Sequence, residues 1–101
     1  MVAALIRGDE DVYASLVREY YPAMQRLAGS HLRDGDAADD VIQETWIAVM
    51  KGVARFEGRS TLKTWIFRIL FNLIRRLRSH RRRQAVFDAE LGAEAVELVV
   101  A

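Results

Sequence analysis

Cysteine is absent from the chain, which excludes a disulfide framework and any thiolate metal site and fits a reducing cytoplasm. The two histidines, His31 and His80, stand far apart with no partner at ligand spacing, so no metal centre is expected. Proline occurs once and glycine six times. With so few breaks, long helices are expected rather than many short strands. No apolar run reaches the roughly 18 residues that span a bilayer, so membrane insertion is not expected. The short apolar stretch around Leu5 has no charged region ahead of it, and no secretory signal is expected either. Paired histidines, a phosphate-cradling glycine loop and a nucleophile triad are all missing. That makes an enzyme the poorest reading and leaves no cofactor to place.

Acidic residues are missing from one long segment. Between Thr61 and Arg83 stand eight basic side chains, Lys63, Arg68, Arg75, Arg76, Arg78, Arg81, Arg82 and Arg83, and no Asp or Glu. Residues 1–60 carry a net −3 and residues 84–101 a net −4, so the formal net charge of +1 conceals a basic segment between two acidic ones. Trp65, Phe67 and Phe71 lie in the same segment. Clustered cations neutralise phosphates, and exposed rings offer stacking surfaces to unpaired bases. The combination points to nucleic acid with single-stranded character.

What is present is otherwise an ordinary globular balance, 51% apolar and 29% charged over 101 residues, which suffices for one core and one domain. Leu5-Ile6 reads as a short helical turn broken at Gly8, and Asp9 or Asp11 can cap the next helix. There Val12, Leu16, Val17 and Tyr20 recur at helical spacing. Ala23, Met24, Leu27, Ala28 and Leu32 continue the stripe beyond Pro22, where a kink or a fresh helix start is expected. Arg33-Asp34-Gly35-Asp36 is a turn, with Gly35 in a left-handed position and Asp36 as the next cap. From Ala37 to about Lys51 a helix sets Val41, Ile42, Thr45, Trp46, Val49 and Met50 on one face, and Gly52 ends it. Its early acids, Asp36, Asp39 and Asp40, suit the positive pole of the helix.

Phe56 to Ser60 form a connecting loop, with Ser60 capping the long basic helix. On that helix Leu62, Trp65, Ile66, Ile69, Leu70, Leu73 and Leu77 make the core arc. Thr64, Arg68, Phe71, Arg75, Arg78 and Arg82 fall on the other side. A surface helix rarely needs two apolar faces, so Phe67, Phe71 and Ile74, edged by arginine, imply a second contact surface. Trp46 and Trp65 are placed in the core. Phe56 either lids the core or, beside Gly58, meets a ligand. Asn72 is unfavourable inside a helix unless its amide is engaged, which points to a functional role. Arg81-Arg82-Arg83 are either a solvated helix end or phosphate contacts. After Arg83 the sequence turns acidic and is expected to form a tail or linker. The fold expected is all-α, a compact bundle of about four helices.

Three stretches then coincide. Asp39-Asp40-Val41-Ile42-Gln43-Glu44-Thr45-Trp46 resembles the Asp-x-x-Gln-Glu-aromatic motif of bacterial RNA polymerase sigma factors. Arg55 to Ile69 is similar to the loop and helix that follow that motif in the extracytoplasmic-function group of the sigma-70 family, and Asn72-Leu73 with the arginine run closes the pattern. Gly8-Asp9 through Tyr20-Tyr21-Pro22 is similar to the opening of that group. The resemblance covers about residues 4–83, in order, and its strength lies in the combination rather than in any one motif.

The resemblance implies the second sigma domain, region 2, over residues 1–83, with residues 84–101 as an acidic linker or tail leading toward the family's fourth domain. No counterpart of that helix-turn-helix domain occurs within these residues. It implies contact with core RNA polymerase, at the clamp coiled coil of the largest subunit, through Asp39, Asp40, Gln43, Glu44 and Ile47. It implies a base-capturing loop of Phe56, Glu57, Gly58, Arg59, Ser60 and Thr61 that holds flipped bases of the non-template strand of the minus-ten promoter element. Lys63, Thr64, Phe67, Arg68, Phe71, Asn72, Arg75, Arg76 and Arg78 are the DNA-facing residues of the helix in the same scheme. A cytoplasmic location follows, and an anti-sigma factor is a possible partner. The family usually has small residues where Leu70-Phe71 stand here, so this pair either reshapes the base pocket or serves another contact. Two competing functions remain: a stand-alone duplex binder with the basic helix in the major groove, and a protein-interaction bundle whose basic helix meets an acidic partner.

Overall fold

Asp9 begins the first long helix: its carboxylate accepts the backbone N–H of Asp11 and of Val12, each at 3.1 Å. The computed structural model of the chain describes the backbone of residues 2–100 and the side chains up to residue 90. Four α-helices follow in order, α1 (Val2–Ile6), α2 (Glu10–His31), α3 (Gly35–Gly52) and α4 (Leu62–Val100), with a 3-10 turn at Val53–Arg55 after α3. No strand occurs among the described residues. No helix there is long and apolar enough to cross a membrane. The all-α bundle expected from the sequence is what forms.

Gly8, at φ 80°, reverses the chain between α1 and α2, a backbone state that costs a residue with Cβ about 1–2 kcal/mol. α2 then runs unbroken through Pro22, where a fresh start was one expectation. Proline removes one backbone donor, but Leu16, Met24 and Ala28 are buried on either side of it, so packing carries the helix across. The turn into α3 also differs from expectation. Asp34 is the cap, accepting the N–H of Asp36 at 2.9 Å, while Gly35 is the first helical residue and has no positive φ. Two aspartates compete for one cap. The earlier one takes it, two residues after buried Leu32, whose N–H closes α2 on the Ala28 carbonyl at 2.8 Å.

On α3, Val41, Ile42, Thr45, Trp46 and Val49 are buried, and the Thr45 hydroxyl donates to the Val41 carbonyl at 2.7 Å. Trp46 meets Tyr13 of α2 edge-on at 5.6 Å, so its core placement holds. Met50, expected on that face, is instead 56% exposed, because buried Val49 and Val53 already close this end of the core. α4 is capped by Thr61 rather than Ser60. The Thr61 hydroxyl oxygen accepts the Thr64 N–H at 3.1 Å, whereas the Ser60 hydroxyl turns to the Thr61 carbonyl.

α4 lies between α2 and α3, and this geometry rotates its buried arc away from the one expected. Ile66, Leu70 and Ile74 are fully buried, while Leu62, Trp65, Ile69, Leu73 and Leu77 are half-buried along its margin. Ile74 therefore belongs to the core and not to a second contact surface. Spacing alone gives an arc, but which residue lies at its centre depends on where two neighbouring helices stand. Beyond Leu77 every described side chain of α4 is exposed. Four residues beyond Leu77 stands Arg81, which pairs with Asp34 at the start of α3 at 3.7 Å. The acidic segment after Arg83 continues α4 rather than opening a separate element, so the expected tail begins as exposed helix. The side chains of residues 91–101 lie outside the described ones.

Burial raises the Tyr13 phenol, and burial with the Glu19 charge raises that of Tyr20. Both groups favour the neutral form in the fold, so their contribution is level below the ordinary phenol value of 10.0 and is lost as pH rises above it. Truncation of the seam tests the rotated arc. Ile74→Ala is expected to cost about 2–5 kcal/mol, as for other fully buried large-to-small changes, and Leu77→Ala distinctly less. Urea unfolding followed by circular dichroism measures both, and a smaller loss for Ile74→Ala than for Leu77→Ala contradicts the packing described.

Candidate nucleic-acid interface

The loop between α3 and α4 is built on a fixed aromatic pair. Buried Val53 anchors the 3-10 turn, and its carbonyl accepts the Phe56 N–H at 3.1 Å. The Phe56 ring then stands 5.2 Å from Trp65, tilted by 49°. On its other side Trp65 covers Gly52, where an added Cβ would come within 3.2 Å of the indole ring. Gly58 takes φ 74° with open space around it, so the loop turns outward at that point. Glu57 and Arg59 pair at 2.9 Å on the open surface, an exposed contact that adds little to stability.

Together these residues line a pocket of about 220 Å³, walled by Arg55, Phe56, Glu57, Arg59, Ser60, Trp65 and Arg68. Three guanidinium groups, one carboxylate and two rings share it, a lining that suits a flat heterocycle attached to an anionic backbone. Arg55 and Trp65 are the members that the sequence alone did not assign to the site. Arg55 directly precedes the loop, which was a usable signal. Trp65 had the signal of its place in the basic segment, but its apolar spacing assigned it to the core.

Along α4 the outward side chains Arg68, Asn72 and Arg75 are exposed. Phe71, 40% exposed, has the Arg75 guanidinium 6.0 Å above its ring and the edge of His31 at 5.8 Å. Phe67 is half-buried against Tyr20 at 6.1 Å. The second apolar surface expected from Phe67, Phe71 and Ile74 thus reduces to the Phe71 ring. Leu70 is buried and lines no part of the loop pocket. Of the bulky pair Leu70-Phe71, one fills the core and the other faces solvent.

The remaining candidates divide. Lys63 and Thr64 are exposed beside the pocket, with the Thr64 hydroxyl 2.8 Å from that of Thr61 in the helix cap. Arg78 lies 3.3 Å from the His31 ring on the α2 side of α4. Arg76 faces the other way, into an open groove of about 460 Å³ between α3 and α4. Ala37, Val41, Leu73 and Leu77 form its apolar lining, Asp40 and Glu44 its α3 rim, and Arg76, His80 and Arg81 its α4 rim. Gln43 and Ile47 are exposed beside that acidic rim, Ile47 at 53%. Asp39 instead accepts a hydrogen bond from the Tyr21 hydroxyl at 3.3 Å, which ties α3 to α2.

The sigma-70 region 2 family matches residues 16–84. Among individual proteins, the RNA polymerase sigma-H factor of Pseudomonas aeruginosa is 30% identical over 97 residues, covering 96% of this chain and 50% of that protein. The ECF RNA polymerase sigma factor SigM of Mycobacterium tuberculosis is 27% identical over 84 residues, with 79% of this chain and 43% of that protein covered. The RNA polymerase sigma factor CnrH of Cupriavidus metallidurans is 31% identical over 91 residues, 89% of this chain and 48% of that protein. The chain spans about half the length of the curated relatives it matches. No solved structure gives a significant match.

Two glycine substitutions separate the loop's backbone from the helix start. Gly58→Ala is expected to cost about 1–2 kcal/mol, the penalty of a left-handed residue with Cβ. Gly35→Ala, helical and in open space, is expected to stabilise by roughly 0.5 kcal/mol. Thermal unfolding of the two variants should move in opposite directions, and a matching fall in both would contradict the helical assignment of Gly35.

Proposed function

The chain belongs to the sigma-70 family, in its extracytoplasmic-function group, and carries that family's region 2, and on that footing we propose that it serves transcription initiation by binding core RNA polymerase and melting the minus-ten promoter element. The observation that carries this reading is the loop pocket. Phe56 and Trp65 offer ring faces at one wall while Arg55, Arg59 and Arg68 place cations around it.

Extruding a base from a duplex costs a few kcal/mol. Stacking on an aromatic side chain returns roughly 1–3 kcal/mol per base, so a single ring contact is close to balancing one flipped base. Phosphate contacts from Arg68 and Arg75 tip the balance, and they make binding fall steeply with salt. The domain then needs no bond-making chemistry: it stabilises the open strand by binding it. Asn72, exposed between those arginines, is within the same outward stripe and has an amide free to hydrogen-bond a base edge.

The polymerase side of the reading rests on the exposed rim of α3. Asp40, Gln43, Glu44 and Ile47 follow one another at helical spacing and stay exposed. A rim with two carboxylates repels phosphate, which keeps this face free for the clamp coiled coil of the polymerase's largest subunit. Arg76, on the opposite rim of the same groove, joins this face and leaves the DNA-facing set. An anti-sigma factor that covers the groove would block polymerase without touching the loop pocket.

The two faces are expected to separate by mutation. Asp40→Ala with Gln43→Ala should weaken core polymerase binding by about tenfold or more, the size of an interface hot spot, and leave single-strand affinity unchanged. Phe56→Ala with Arg68→Ala should do the reverse. Fluorescence anisotropy with labelled non-template oligonucleotide, and a pull-down of core polymerase, read the two effects. If both activities fall together in a folded variant the two faces are one, and if duplex of the same sequence outcompetes the single strand, the domain is a duplex binder instead.

A further inference from the structure

Beyond Leu77 the described side chains of α4, through Glu90, are all exposed. A helix in a folded protein draws most of its stability from a packed apolar face, and this stretch has none. Within it Gln84 Nε2 donates to Asp88 at 3.1 Å, a surface contact of small worth. Val86 and Phe87 stand 59% and 58% exposed. Charge divides the helix just before them: residues 61–83 carry eight cations and no acid, and residues 84–101 four acids and no cation. We propose that the second half of α4 is a self-association surface, on which a second copy of the chain pairs antiparallel about a two-fold axis at Val86.

Antiparallel pairing about one residue sets each position opposite the one equally far beyond it. About Val86, Arg82 and Glu90 are opposites at four residues, Arg78 and Glu94 at eight, and Arg75 and Glu97 at eleven. The two-fold axis repeats each match. Phe87 falls opposite Ala85, a large side chain against a small one, and Asp88 opposite Gln84. No like charges meet between residues 75 and 97, and moving the centre by one residue either way leaves at most two arginine–acid matches. Arg75, Arg82 and Val86 recur at helical spacing on one exposed face of α4. A parallel pair is excluded by the same arithmetic, because it sets Arg82 on Arg82 and Glu90 on Glu90. Nucleic acid and acidic proteins complement the basic half but are repelled by the acidic one, whereas a second copy offers both signs in reverse order. The pairing also covers Arg75, one of the cations assigned to DNA under the proposed function; that consequence alone rests on that reading.

Sedimentation velocity of the full chain over a dilution series at low salt reads the monomer–dimer equilibrium, and circular dichroism checks that each variant stays folded. Arg82→Glu and Glu90→Arg each set like charges opposite at two symmetric places, and each is expected to raise the dimer Kd by about tenfold or more. An equal mixture of the two single variants is expected to return the Kd close to its starting value, since the mixed pair faces Glu with Arg at both places. The double exchange, Arg82→Glu with Glu90→Arg in one chain, should do the same. Recovery on mixing cannot come from a segment folding back within its own chain. A wild-type chain that stays monomeric throughout, single variants that associate as well as wild type, or a mixture that fails to recover would each overturn the proposal. Non-template single strand added to the wild-type pair is expected to dissociate it. If the mixture recovers but the pair persists with the strand bound, the pairing stands and the assignment of Arg75 to DNA falls.

Discussion

One apolar seam, Ile66-Leu70-Ile74, holds α4 between the two other long helices, and the placement of every candidate contact depends on it. All three side chains are fully buried, in one core cluster with Leu16 and Met24 from α2 and Ile42 and Val49 from α3. Because the seam is narrow, both margins of α4 are only partly covered, and each serves a neighbour. On the α2 side Phe67 meets Tyr20 and Phe71 meets His31. On the α3 side Leu73 and Leu77 line the groove shared with Asp40 and Glu44. The outward face is left to Arg68, Asn72 and Arg75.

This arrangement also sorts charge. Eight basic side chains on one segment would repel one another if they shared a face. Winding them around a helix sends Arg68 to the loop pocket, Arg76 to the α3 groove and Arg78 to the α2 side. Among the described residues Asp34 holds Arg81, the rim of Asp40 and Glu44 faces Arg76, and Glu57 shares the loop pocket with Arg68. Arg75, over the Phe71 ring, has no ion pair among the described residues. The seam ends where charge begins: four residues beyond Ile74 stands Arg78, exposed and against His31.

The loop depends on the seam at one remove. Trp65 lies one residue before Ile66, so docking the seam sets the indole over Gly52, and the indole in turn backs Phe56. A pocket of this kind is preformed by packing instead of by hydrogen bonds, since its rings are held by their neighbours' bulk. A ligand that stacked there would spend little of its binding energy on ordering the wall.

Helix number, the acidic and basic segments, the loop and the motif that aligns with sigma factors were legible in the chain because they are properties of neighbours in sequence. Charge runs, apolar spacing and glycine breaks act over a few residues, and they survive whatever the helices later pack against. The choices that went otherwise all compare near-equal local options. Asp34 or Asp36, Ser60 or Thr61, each offers a carboxylate or hydroxyl at the right distance from a helix start, and the register of the buried residues nearby selects one. Ile74 and Met50 exchanged expected surroundings because an apolar arc is wider than the contact it makes, so its centre is set by the positions of the other helices. The meeting of Arg33 with Arg78, Arg81 and Arg82, and of Arg55 with Trp65 and Arg68, brings together groups from different elements, which become neighbours only when α2, α3 and α4 close on their common core.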